Sequence, residues 1–243
     1  MSDRAIEEWQ ALSTEYRALI ADGSESSSFL RDIGLKPTVL RLLGDCSSES
    51  VLDVGTGSGW LFDALAVQEA HACDFVRPAQ LPKHIDFRIA DASSLPWSDD
   101  AFDVVVSNLM LCYVPDIDAP LKEMARVCKR QGRLVIGLVH PYFYRTFDLD
   151  GAKRPVLTAD LSHPFSFPIR VGNRVGPFAY YYRPYPDYLN AIINAGFAIR
   201  EVVDWFIDED QYRTAFPHGD SVPRSEKVPL FTFFSCARLR LPR

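Results

Sequence analysis

Apolar positions fall in two rhythms along the chain. From Ala5 to Ile20, Ile6, Trp9, Leu12, Tyr16, Leu19 and Ile20 recur at helical spacing and predict an amphipathic helix. Gly23 to Ser28 is a polar break, and Phe29 to Leu43 reads as helical in parts, with Pro37 in the first turn of its second piece. After that, short apolar runs alternate with helical stretches. SVLDV reads as a buried strand, GTGSG as a turn and WLFDALAVQ as a helix. HACD, ending at Asp74, IDFRIAD, ending at Asp91, and FDVVVSN read as further strands. DAPLKEMARVCKRQG reads as a helix closed by Gly132, and RLVIGLVH as a fifth strand. This alternation predicts a parallel sheet with helices on both faces, and ligands in such sheets sit beyond the carboxyl ends of the strands. From His140 to Pro184 the rhythm breaks into a stretch dense in proline, glycine and aromatics, too long for an ordinary connection. A helix, PDYLNAIINAG, and two strands, FAIREVVDW and PLFTFFSCARL, complete the chain.

Bulk properties narrow the class. With 243 residues, 47% hydrophobic and 24% charged, the chain suits a single domain over residues 1–243. A net charge of −6 argues against gripping a phosphate backbone, so no nucleic acid is expected as a partner. The five cysteines, Cys46, Cys73, Cys112, Cys128 and Cys236, include no C-x-x-C pair, so reduced buried thiols are expected rather than a zinc site or disulfides. No metal constellation is read. MSDRAIEEWQ has no signal-type apolar core, and no run approaches the roughly 18 apolar residues of a membrane span. The chain therefore reads as cytoplasmic, with no membrane contact.

VLDVGTGSGW, Val51 to Trp60, carries the chemistry. A dinucleotide fingerprint is G-x-G-x-x-G, yet the sixth position is Trp60 counted from Gly55 and Phe62 counted from Gly57. What stands here is D-x-G-x-G-x-G, from Asp53 through Gly55 and Gly57 to Gly59. Glycines let the backbone turn tightly and a ligand come close. A carboxylate at the strand end suits a cofactor bearing an ammonium group better than one bearing phosphates. Asp74, 21 residues after Asp53, can accept bonds from two ribose hydroxyls. Asp91 and Ala92 could read an adenine edge, although a strand-end aspartate also starts turns.

VLDVGTGSG, ACD, RIADASSLPWSDDAFDVVVSNLMLCYVPD and LKEMARVCKRQGRLVIGLV resemble the ordered motifs of class I S-adenosylmethionine-dependent methyltransferases, closely over residues 48–140. WQALSTEYRALIADGS and YYRPYPDYLNAIINAGFAIREV are similar to small-molecule members of that family. The resemblance implies a Rossmann-like, seven-stranded, mostly parallel sheet whose last strand is antiparallel, with an inserted aromatic-rich cap. It implies S-adenosylmethionine as cofactor and S-adenosylhomocysteine as product. Gly55, Thr56, Gly57 and Gly59 would shape the turn near the methionyl part, with Asp53 holding that region. Asp74 would bind the ribose, Phe75, Asp91 and Ala92 would flank the adenine, and Asn108 and Leu109 would line the methionyl side. Tyr16 resembles a tyrosine that closes over the cofactor. One departure stands out: FVRPAQLPKHI, with Pro78 and Pro82, is short where the family has a full helix, so a turn is expected there.

The acceptor side is read from the end of the fifth strand onward. Residues 1–45 and the insertion 141–184 are expected to cap the site. His140 at the strand's carboxyl end is the candidate base, because a neutral imidazole can take a proton near neutral pH. Tyr142 and Tyr182 are the other catalytic candidates, and Tyr144, His163, Tyr181 and Arg183 are candidates to contact the acceptor. Arg183 could bind an acidic group or form a structural ion pair. The density of Phe and Tyr in the insertion fits an apolar pocket for a small planar or aromatic molecule, methylated on oxygen, nitrogen or carbon. Competing readings are methylation of a protein or RNA, a non-catalytic S-adenosylmethionine-binding protein, and a nucleotide-dependent oxidoreductase, against which the broken fingerprint argues. The cap or N-terminal helix could mediate a homodimer.

Overall fold

A computed structural model describes residues 29–78, 81–141, 147–149, 155–157, 162–171, 174–215 and 229–239. The N-terminal stripe Ala5 to Ile20 and the break at Gly23 to Ser28 lie outside the described residues.

Seven strands form one sheet: β1 (Cys46–Val54), β2 (Val67–Asp74), β3 (Asp86–Ile89), β4 (Phe102–Asn108), β5 (Cys128–Val139), β10 (Phe197–Phe206) and β11 (Pro229–Arg238). Their order is β10-β11-β5-β4-β1-β2-β3. The β1–β2, β1–β4, β2–β3 and β4–β5 pairs are parallel, and β11 runs antiparallel between β5 and β10. The antiparallel last strand is as expected.

The central strands are apolar runs because both of their faces are covered. Alternation then sorts their side chains. Leu52, Val54, Val105, Leu134, Ile136 and Phe234 pack on one face with Leu121 and Met124 of α3 (Asp118–Val127) and Ile192 of α4 (Tyr185–Asn194). Val51, Val104, Val106, Val135 and Phe233 pack on the other with Val39 and Leu43 of α1 (Lys36–Leu43) and with Leu61 of α2 (Leu61–Ala64). Val104, Val105 and Val106 are each wholly buried, a gain of about 1.5–3 kcal/mol per side chain. Pro37 sits in the first turn of α1 as expected, following a π-helical turn at Arg31–Leu35.

Three boundaries differ from the sequence reading. The helix expected over WLFDALAVQ is the single turn α2, because Val67 already pairs with Cys46 and opens β2. The helix expected to close at Gly132 ends at Val127, and Gly132 lies inside β5. A Cβ there would come within 2.8 Å of Asp103 O, Cys128 Sγ and Lys129 O, so glycine is required by close strand approach rather than by a helix end. β3 stops at Ile89, two residues before Asp91. The connection after Asp74 carries no helix among its described residues, as its prolines predict.

Part of the insertion is regular. β6 (Phe147–Leu149) pairs with β7 (Pro155–Leu157), and β8 (Phe165–Val171) with β9 (Arg174–Tyr182), both antiparallel. A short helix, α5 (Glu209–Ala215), not expected from the sequence, follows β10. Among the described residues no helix is long and apolar enough to cross a membrane.

Candidate functional site

The glycine turn caps the carboxyl end of β1. Gly55, Gly57 and Gly59 have φ of +76°, +58° and +80°, the left-handed region that costs an L-residue roughly 1–2 kcal/mol. The amides of Gly55 and Thr56 donate to Cys73 O at 2.9 and 3.1 Å, which anchors the turn on β2. Two of the glycines are also packed against: a Cβ on Gly55 would lie 2.7 Å from Met110 Cβ, and one on Gly59 would lie 2.5 Å from Leu81 Cδ1. A Cβ on Gly57 would meet nothing within 4 Å. The turn is therefore closed below and open at its middle glycine.

Asp53, two residues before the turn, is 2% exposed. Thr56 Oγ1 donates to its Oδ2 at 2.7 Å, while Oδ1 is buried without a hydrogen-bond partner. Burial pushes the carboxyl up to about 7, against the Thr56 bond and with help from the negative charge of Asp74. On β4, Val106 registers with Asp53, so Asn108, two residues on, faces the same side. Its side-chain Nδ2 and Oδ1 are also buried and without partners. Gly137 makes room for that amide, since a Cβ there would approach Asn108 Oδ1 to 2.5 Å. Leu109 follows at φ +53°, its amide bonded to Gly137 O at 2.8 Å.

Asp74 ends β2. Its Oδ2 accepts from the Gly57 amide at 2.8 Å and its Oδ1 from the Phe75 amide at 2.7 Å. These bonds aim the carboxylate at the turn. Asp91 Oδ1 accepts from Ser93 N and Ser93 Oγ, which makes the residue a turn cap beside the buried Ala92.

Buried polar atoms normally find partners, and an orphaned one costs roughly 1–3 kcal/mol. Here an orphaned carboxylate oxygen and an orphaned amide sit at the carboxyl ends of the adjacent strands β1 and β4, with a second carboxylate at the end of β2. Those donors and acceptors fit a nucleoside joined to an amino acid, and the buried Asp53 disfavours a pyrophosphate. S-adenosylmethionine therefore fits the residues present.

On the opposite face of the sheet, His140 follows β5 and is 3% exposed. Its amide donates to Leu230 O at 2.8 Å, and its ring stacks on Tyr185 with centroids 5.3 Å apart. Tyr185 Oη is 3.0 Å from Thr232 Oγ1. Tyr182 is buried and stacks on Phe165 at 4.6 Å, Tyr181 is half-buried, and His163 is exposed with Ser162 Oγ 2.7 Å from its Nδ1. Arg183 is 7% exposed and donates to the carbonyls of Leu111, Val114 and Tyr181. The bonds to Leu111 and Val114 tie the end of β9 to the loop after β4. Tyr181, Tyr182 and Arg183 line a cleft of about 530 Å³ with Asp116, Asp118 and Asp187, and no residue of the glycine turn lines it. Tyr16, Tyr142 and Tyr144 lie outside the described residues.

All five cysteines are free and buried, and burial pushes Cys46 up to about 11 and Cys73, Cys112, Cys128 and Cys236 to about 12. Among the described residues no group of three His, Cys, Asp or Glu could hold a metal. Met110, which packs on Gly55, and Tyr185 and Thr232, beside His140, were not singled out by the sequence. Only Met110, two residues past Asn108, carried a local hint.

Residues 52–136 match the family described as a methyltransferase domain. Methyltransferase GfsG of Streptomyces halstedii is 36% identical over 104 residues, 37% of either chain. A demethylmenaquinone methyltransferase of Roseiflexus sp. (strain RS-1) is 34% identical over 129 residues, 45% of this chain and 52% of that protein. The chain thus spans about half or less of these relatives. The crystal structure of an S-adenosylmethionine-dependent methyltransferase from Mesorhizobium loti superposes with a TM-score of 0.65 at 23% identity, covering 83% of this chain and 96% of that one.

Proposed function

We propose that this chain, which belongs to the class I S-adenosylmethionine-dependent methyltransferases, methylates a small, planar or aromatic acceptor. The observation that carries the reading is the orphaned Asp53 Oδ1 and Asn108 amide at the ends of β1 and β4, next to a turn whose middle glycine is open. When bound, S-adenosylmethionine supplies a methyl group already activated on a sulfonium. The residues of the chain then have to bind, align and keep water out, and alignment alone can contribute up to roughly 7–11 kcal/mol. Asp53, Thr56, Asn108 and Leu109 would hold the methionyl end, Asp74 the ribose hydroxyls, and Phe75, Asp91 and Ala92 the adenine, with Tyr16 closing from the N-terminal segment.

The acceptor would be enclosed by residues 1–45 and 141–184, with Tyr142, Tyr144, His163, Tyr181, Tyr182 and Arg183 as its contacts and His140 as the base. A quinone-like acceptor is supported by the likeness to a demethylmenaquinone methyltransferase and by the aromatic density of the insertion. The test is calorimetric titration with S-adenosylhomocysteine and, separately, with NAD. Micromolar binding of the first alone is expected, and planar phenols and quinols are then screened for methyl uptake. Absence of S-adenosylhomocysteine binding would sink the reading.

A further inference from the structure

We propose that Glu123 and Arg126 of α3 are positioning residues for the cofactor's adenine, because they clasp the loop whose first turn, Asp91 to Ser94, would read the base. The inference rests on the methyltransferase reading and adds two residues to it. The loop runs from Asp91 to Ala101, between the end of β3 and the start of β4. Its entry is tied to the ribose side, since the Ala90 amide donates to Asp74 O at 3.2 Å.

The clasp uses every donor that the arginine has. A guanidinium carries five N–H groups in a fixed fork. Arg126 Nε donates to Glu123 Oε1 at 2.7 Å and Nη2 to Glu123 Oε2 at 2.8 Å, a bidentate pair. Nη1 donates to Trp97 O at 2.7 Å and to Asp99 Oδ1 at 2.9 Å, and Nη2 also to Leu95 O at 2.9 Å. Glu123 Oε2 accepts from the Leu95 amide at 2.8 Å, so Leu95 is held by both of its backbone polar groups. The Arg126 bonds keep the Glu123 carboxyl below its ordinary range, so the clasp is ionised on both sides at neutral pH. Two backbone bonds, from Asp100 N to Arg126 O at 2.9 Å and from Ala101 N to Val127 O at 2.8 Å, close the loop's exit onto α3. Arg88 of β3 grips the loop as well, bonded to Pro96 O and with its guanidinium 4.8 Å from the Trp97 ring centre.

The turn held by this frame has donors to spare. Ser93 N and Ser94 N are spent inside it, on Asp91 Oδ1 and Asp91 O. The amides of Asp91 and Ala92 make no hydrogen bond among the described residues, and Asp91 Oδ2 takes no part in the turn's bonds. An amide donor beside a carboxylate complements the edge of adenine, where N1 accepts and the 6-amino group donates. Hypoxanthine reverses both, because its N1 carries a proton and its 6-oxygen accepts. A turn kept in place by the clasp therefore tells the two bases apart, and a turn released from it loses that distinction.

The test compares S-adenosylhomocysteine with its 6-oxo analogue, S-inosylhomocysteine, by calorimetric titration of the full chain. The two share their ribose and amino-acid ends, so a general loss of the site cancels in the ratio of affinities. The unchanged protein is expected to favour the adenine form by at least about tenfold. Arg126→Lys and Glu123→Gln should each cut that preference about fivefold, the worth of one hydrogen bond. Should Arg126→Lys fail to fold, Glu123→Gln, which keeps an oxygen for the Leu95 amide, carries the test alone. Glu49→Gln is the control, since it breaks a similar bidentate pair with Arg133 toward the amino end of β1 and should leave the preference unchanged. Clasp variants that weaken both ligands equally, or neither, overturn the positioning role. So does a Glu49→Gln variant that narrows the preference as far as they do. An unchanged protein that binds both ligands alike overturns the inference and leaves the S-adenosylmethionine reading standing. One that binds neither overturns that reading, and the inference falls with it.

Discussion

Asp53→Asn should stabilise the ligand-free protein at pH 8, do little at pH 5, and weaken cofactor binding at both. Asp53 is buried with one oxygen unpartnered, and its carboxyl is pushed up from 3.8 to about 7. An unfolded chain ionises the same group near 3.9. Between about pH 4 and pH 7 the folded state therefore keeps a proton that the unfolded state has released, so stability falls as pH rises through that window and levels off above it. Three units at 1.36 kcal/mol each put the cost of the ionised carboxylate near 4 kcal/mol at pH 8, as an order of magnitude.

Asparagine avoids that cost. Its Oδ1 can keep the Thr56 bond, and its Nδ2 takes over the unpartnered position at about 1–3 kcal/mol, independent of pH. The variant should thus gain about 2 kcal/mol at pH 8, or about 4–8 °C in melting temperature for a chain of this size, and about nothing at pH 5. Urea unfolding of both proteins at the two pH values measures it. A stability difference that is the same at pH 5 and pH 8 would refute the argument. Calorimetry with S-adenosylhomocysteine completes the experiment: a more stable protein with weaker binding is what a strained binding carboxylate requires.

The legible parts of the fold are those whose cause is local. FDVVVSN and RLVIGLV read as central strands because burial on both faces demands apolar residues at every position. GTGSG read as a ligand turn because three left-handed positions in five residues leave little choice but glycine. Where the sequence misled, a distant partner decided. Ala66 to Gln68 continue a helical pattern, yet Val67 pairs with Cys46, 21 residues back, and strand pairing won. Gly132 looked like a helix end, but the constraint on it comes from Asp103 on the neighbouring strand. Arg183, read as a ligand for an acid or half of an ion pair, also carries a tie that the sequence does not show, to carbonyls of a loop some 70 residues earlier.

Gly57→Ala should cost about 1–2 kcal/mol of stability, from its φ alone, and yet abolish S-adenosylhomocysteine binding, because the new methyl enters the open space. Gly55→Ala should be the less stable of the two, since its Cβ meets Met110 as well; equal urea midpoints would count against this. Asp74→Ala should weaken S-adenosylhomocysteine binding by roughly 1.5–3 kcal/mol, and unchanged affinity in a folded variant would remove the ribose role. Arg183→Lys should lose about 2–3 kcal/mol in urea unfolding, because a single ammonium cannot span the carbonyls of Leu111, Val114 and Tyr181 that the guanidinium fork reaches together. An arginine kept instead for an acidic acceptor would leave unfolding unchanged when replaced by lysine, so that result would count against a structural tie between β9 and the loop after β4.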